Sequence, residues 1–129
     1  MRTGGRMLAA AALAMVLGTG VCRAEEKAPP VPPAAALPPN MQPEVVRKGA
    51  TVFAGNCSRC HSIRGVGGTT GPDLSGVAAR RDEEYIRRQL KNPKAHNKES
   101  RMPSFSHMSE EERDAVVVYL LSIYFSKPR

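Results

Sequence analysis

Apolar side chains recur with a helical period in three places along this chain and run almost unbroken in a fourth. Between Pro43 and Gly55, the residues Val45, Val46, Gly49, Ala50, Phe53 and Ala54 fall at spacings that put them on one broad face, which predicts a helix. From Asp82, a residue type suited to an N-cap, to Lys91, the residues Tyr85, Ile86, Gln89 and Leu90 share a face while Arg87, Arg88 and Lys91 point elsewhere. Asn92 and Pro93 then end this second helix. The third place is ambiguous by pattern alone, because a strand would also use the run Val116 to Leu121. Ser109 with Glu112 three residues on forms a capping box, and Glu110, Glu111 and Asp114 suit the positive end of a helix dipole, so cap and length together predict a helix.

The near-unbroken run, Met7 to Val21, is interrupted only by Gly18, Thr19 and Gly20. It follows Arg2 and Arg6 and precedes Cys22, Arg23 and Ala24, the layout of a secretory signal peptide cleaved after Ala24. It falls short of the roughly 20 residues a membrane span needs, which argues against an uncleaved anchor. Val21 is bulkier than lipid attachment at Cys22 tolerates. Residues 25 to 42 are rich in Pro and Ala and read as a tether that favours polyproline II. The rival reading of this stretch is a disordered tail with no spacing role. The expected organisation is a leader at 1–24, a tether at 25–42 and an all-α domain at 43–129, three or more helices with no stable membrane span once the leader is gone.

Composition changes the picture in two ways. Apolar residues make up 41% of the chain, but the leader holds a disproportionate share of them. Outside the leader the inventory is thin for a domain near the size where a protein-only core becomes marginal. The apolar residues of 43–129 are therefore expected to form a shell around something that is not protein. The formal net charge of +7 rests on 19 basic and 12 acidic residues. Removing Arg2, Arg6 and Arg23 with the leader leaves 16 against 12, a net of +4. That small excess, with no aromatics interleaved among the basic residues, argues against nucleic-acid binding.

Ser62 to Arg81 contains Gly65, Gly67, Gly68, Gly71, Gly76 and Pro72 and reads as a structureless loop. A loop of that length inside a small domain makes sense if it packs on a cofactor. Immediately before it, Cys57, Ser58, Arg59, Cys60 and His61 form a C-x-x-C-H sequence, the attachment signal for a c-type haem. Where a helix runs out into a turn, Cys57, Cys60 and His61 share one face, so two thiols can meet the two vinyl groups of a porphyrin while the imidazole reaches the iron. A redox-active C-x-x-C wants a strand before it. A zinc site wants about four ligands, and only His96, His107 and scattered carboxylates remain to complete one. A structural disulfide leaves His61 unexplained. One motif implies one haem.

The ligand on the other side of the iron decides function, since a thioether raises the potential relative to a second imidazole. Downstream candidates are Met102, Met108, His96 and His107. Met108 precedes the Ser109 cap, where an apolar residue packs back on the helix as a staple. Met102 lies in a polar, irregular stretch with no helical face to join, which favours it as the ligand, with His107 or an open sixth position as the alternatives.

Taken together these residues resemble the class I monohaem c-type cytochromes, in particular the small bacterial ones. The resemblance covers Pro43 to Phe125 and rests on Gly49 and Phe53 in the first helix, on Cys57 to His61, on Gly71, Pro72, Asp73 and Leu74, and on Arg101, Met102 and Pro103 ahead of a helix bearing Tyr119. It implies a tight crossing of first and last helices at Gly49, with Phe53 packed on Tyr119. It implies that the Pro72 carbonyl accepts a hydrogen bond from His61 and that Leu74 and Leu90 wall the haem. The residues that hold the haem propionates do not carry over from it; Arg80, Arg81 and Lys91 are the candidates, and nothing in the sequence singles one out. The expected function is a one-electron carrier of the bacterial periplasm, a monomer and not an enzyme, with His61 and Met102 on the iron. The alternatives are an electron-entry subunit of a larger oxidoreductase and a catalytic or sensing haem with a weak sixth ligand. Expected partners are redox proteins, acidic or membrane-bound, because residues 80 to 101 hold eight Lys or Arg against four acids. The rival reading of that cluster is an ordinary solvated helix face.

Overall fold

The computed structural model describes residues 30–33, 37–38 and 41–126; the expected leader lies outside them. Three helices form the body: α1 (Pro43–Asn56), α2 (Glu83–Lys91) and α3 (Glu110–Phe125). Each starts where the sequence supplies a start signal. Pro43 opens α1, Asp82 caps α2 by accepting from the Tyr85 amide at 2.7 Å, and Ser109 and Glu112 close the capping box on α3 in both directions. Asn92 stops α2, and Pro93 begins a single 3-10 turn, Pro93–Ala95.

α1 packs chiefly against α3. Val46, Ala50 and Phe53 meet Val116, Val117, Tyr119, Leu120 and Ile123, all buried, and the Phe53 and Tyr119 rings lie 5.6 Å apart at 57°. The expectation of a shell with no core of its own is corrected here. Residues of one α1 face and one α3 face bury each other, and of these helix residues Phe53, Val116 and Leu120 also line a cavity. Ion pairs of Lys48 with Glu111 and of Arg87 with Asp114 join α1 and α2 to α3 at the surface.

The long loop is also more ordered than expected. β1 (Ser62–Ile63) and β2 (Val66–Gly67) form an antiparallel hairpin with Ile63 opposite Val66. Arg64 and Gly65 turn the corner with φ of 50° and 77°, the positive pair a type I′ turn requires. A 3-10 turn, Val77–Ala79, follows. Of the expected tether, Pro32 is buried, Leu37 packs against the core and the Pro30 carbonyl accepts from the Tyr119 hydroxyl at 2.9 Å. Among the described residues no helix is long and apolar enough to cross a membrane.

Candidate haem site

The site begins where α1 ends. Beyond Asn56 the chain tightens into a turn, with the Cys57 and Ser58 amides both donating to the Phe53 carbonyl and the Cys60 and His61 amides both donating to the Cys57 carbonyl. This turn presents Cys57, Cys60 and His61 to a cavity of about 680 Å³. The loop then runs back alongside it: Gly68 donates to Ser58, Gly71 to Cys60 and Leu74 to Ser62, at 2.7, 2.7 and 2.9 Å. Asp73 anchors the return, accepting from the Ser62 hydroxyl and the Ser75 amide at 2.8 Å each.

His61 is held on two sides. Its Nδ1 lies 2.8 Å from the Pro72 carbonyl oxygen. A carbonyl only accepts, so Nδ1 carries the proton and Nε2 keeps its lone pair for a metal. Gly71 lies flat against the ring, where a Cβ would come within 2.5 Å of Cε1.

The remaining walls come from the loop, from α2 and α3, and from the segment between those two helices. Leu74 and Val77 of the loop, Ile86, Gln89 and Leu90 of α2, Val116 and Leu120 of α3, and Met102 with Phe105 from the segment between them face the same space. Met102 is half-buried, its amide donating to Ser100 Oγ at 3.3 Å and its sulfur accepting from Gln89 Nε2 at 3.7 Å. Phe105 is tied back by a 2.8 Å bond from its amide to the Leu90 carbonyl.

All six expected site residues, Cys57, Cys60, His61, Pro72, Leu74 and Met102, line this one cavity. Phe105 and Gln89 were not expected there; the signals were a lone aromatic in a polar stretch and a polar residue on an apolar helix face. Met108 instead packs against the core, as a staple would, and its carbonyl accepts from Arg113. His96 stacks on Tyr85 at 4.1 Å, and neither His96 nor His107 lines the cavity. Of the three cations considered for the propionates, Arg80 and Arg81 line it and Lys91 does not, whereas Arg101 does.

The donor set fits an iron porphyrin: two thiols and an imidazole on one turn, a thioether on the cavity wall, apolar walls between and guanidinium groups alongside. It fits the rivals poorly. Burial and then the neighbouring Cys60 push the Cys57 thiol up to about 11, the opposite of what a nucleophilic C-x-x-C pair needs. Among the described residues no three His, Cys, Asp or Glu side chains converge to hold a metal ion by themselves.

The family model for cytochrome c matches residues 46–123. The chain is also 27% identical over 88 residues to cytochrome c oxidase subunit 2 of Alkalihalophilus pseudofirmus, covering 61% of this chain and 26% of that protein. It therefore spans about a quarter of the length of that relative. No solved structure matches.

Proposed function

Because this chain belongs to the cytochrome c family, carrying a covalently attached haem c and transferring electrons, we propose that it is a one-electron carrier of the bacterial periplasm, with Cys57 and Cys60 attaching the haem and His61 and Met102 on its iron. The observation that carries this reading is that one cavity is lined by both thiols, by an imidazole with its Nδ1 proton committed to Pro72, and by the Met102 thioether. The haem supplies one-electron chemistry between ferric and ferrous iron. The protein's part would be to hold the haem through Cys57 and Cys60 and to supply His61 and Met102 as ligands to its iron, leaving oxygen and peroxide no place to bind; on this reading the chain is not an enzyme by itself. Pro72 and Gly71 fix the imidazole plane, and the apolar walls exclude water, so little reorganises between oxidation states.

The leader layout of residues 1–24 supports export. Arg80, Arg81 and Arg101 beside the cavity support docking of an acidic redox protein, whereas Arg87 and Arg88 of the same basic cluster are paired with Glu83, Asp114 and Glu84. A reductive titration tests the function: the protein takes up one electron per chain, returns it reversibly and turns over no peroxide. Steady peroxide consumption would favour the catalytic alternative.

The similarity to an oxidase subunit favours a second reading, in which the domain feeds electrons into a larger membrane oxidoreductase. Co-purification with such a complex, lost on deletion of residues 25–40, would select it over a freely diffusing carrier.

A further inference from the structure

Among the described residues the exposed large apolar side chains are Val31, Tyr124 and Phe125, at 46%, 40% and 54%. Single apolar residues at a surface are ordinary, but these three belong to segments that meet around one side chain, Arg64. From the hairpin corner Arg64 donates to the Ile123 carbonyl at 3.3 Å and to Ser126 Oγ at 3.1 Å, on either side of Tyr124 and Phe125. Those two rings touch edge to face, 5.4 Å apart. One turn earlier in α3, the Tyr119 hydroxyl donates to the carbonyl of Pro30, the residue before Val31. Burial raises the Tyr119 hydroxyl and the Arg64 charge lowers it, so hydroxyl and guanidinium are neighbours.

The charge of these segments has one sign. Residues 30–42, 62–72 and 115–129 contain no Asp or Glu, and their cations are Arg64, Lys127 and Arg129. Among the described residues no carboxylate pairs with Arg64. Exposed aromatics beside cations, with no acid among them, have the composition of an anchor at a membrane–water boundary, where rings sit among headgroups and cations meet phosphates. Three side chains are too few for a lasting protein interface, which needs about 800 Å² a side. A headgroup layer needs no shaped counterpart and takes up each ring separately.

We propose that this patch docks the protein on an anionic phospholipid surface, with Tyr124 and Phe125 in the headgroup layer and the charge of Arg64, Lys127 and Arg129 drawing it there. Val31, Arg64, Tyr124 and Phe125 do not line the cavity, so a redox protein can reach the cavity while the chain stays on the membrane. Attachment turns shuttling into a search in two dimensions, and it does not depend on which residues ligate the iron.

Cosedimentation of the haem-loaded protein with vesicles tests the proposal, using equal parts phosphatidylglycerol and phosphatidylcholine against phosphatidylcholine alone. The parent is expected to bind the anionic vesicles in preference to the neutral ones and to release them as salt rises. Tyr124→Ser combined with Phe125→Ser, both at exposed positions, keeps the visible spectrum and midpoint potential of the parent but binds about tenfold or more weakly, the factor that taking one ring out of an apolar setting corresponds to. Arg80→Gln combined with Arg81→Gln, beside the cavity, binds as the parent does. A parent that ignores anionic vesicles overturns the proposal, and so does an aromatic variant that binds undiminished. Loss of binding confined to the Arg80 and Arg81 variant would move the contact to the cavity side. Slower electron transfer to a redox protein, with vesicle binding intact in the aromatic variant, would make the patch a protein surface; either result contradicts the membrane assignment.

Discussion

Gly49 and Ala115 touch backbone to backbone where α1 crosses α3, and a Cβ at Gly49 would lie 2.0 Å from the Ala115 carbonyl oxygen and 2.7 Å from the Tyr119 Cβ. Neither neighbour is the end of a flexible chain, so the helices themselves must part. Gly49→Ala is expected to destabilise the folded protein by about 3 kcal/mol, the upper range for overpacking, despite alanine's better helix propensity. Urea unfolding followed by circular dichroism checks it, and an unchanged midpoint would count against the tight crossing.

Gly71 makes the same kind of demand on the site. A methyl there meets the His61 ring, which the Pro72 bond keeps from swinging away. Gly71→Ala should therefore perturb the visible spectrum and the potential more than the helix content, whereas Met108→Ala should leave the spectrum alone and cost about 1–3 kcal/mol of stability.

Tyr119 reaches from the helix crossing to the Pro30 carbonyl, and burial keeps its hydroxyl protonated far above the ordinary phenol range. Tyr119→Phe keeps the packing on Phe53 and removes that one bond, for an expected loss of about 1 kcal/mol. Limited proteolysis should show faster cutting before residue 41 in the variant.

Asp73 gives the loop its acid sensitivity. Desolvation pushes its carboxyl up, but the bonds from Ser75 and Ser62 and the charge of Arg80 outweigh it, leaving the folded value below the ordinary 3.8. The unfolded chain thus takes up this proton first as pH falls. The Asp73 contribution is complete above the ordinary value and is lost as pH drops through the lowered one. Asp73→Asn should lower stability at neutral pH and flatten the acid limb of the stability curve; parallel acid limbs would show that Asp73 does not contribute.

Arg80, Arg81 and Arg101 beside the cavity predict salt-dependent encounter. Electron-transfer rates to an acidic partner should fall as ionic strength rises, and fall further when Arg80 and Arg81 are both replaced by Gln. Rates indifferent to salt would contradict steering.

Local signals carried most of the fold. Asp82, Ser109 with Glu112, and the Asn92 and Pro93 stop are contacts made within one turn, so the starts of α2 and α3 and the end of α2 could be read from sequence, whereas nothing as local marked where α3 stops. The hairpin was missed because its strands are two residues long, too short for alternation to register, although Arg64 and Gly65 between Ile63 and Val66 are a hairpin signal in themselves. The thiols and His61 were legible from the C-x-x-C-H spacing, and Met102 from its place in a polar, irregular stretch with no helical face to join. What required three dimensions was convergence. Nothing in the order of residues separates Arg80 and Arg81 from Lys91, or shows that Gln89, thirteen positions before Met102, ends at its sulfur. Nor does a thin apolar inventory reveal that α1 and α3 still close a small core between them.

Electron transfer without bond chemistry, as proposed above, requires that His61 and Met102 together hold the iron. Optical spectra of the purified haem-loaded protein, oxidised and reduced, with and without carbon monoxide, test it most directly. Low-spin spectra are expected in both states, nearly unchanged by carbon monoxide in the parent and readily changed in Met102→Ala. Ready carbon monoxide binding by the reduced parent protein would contradict it.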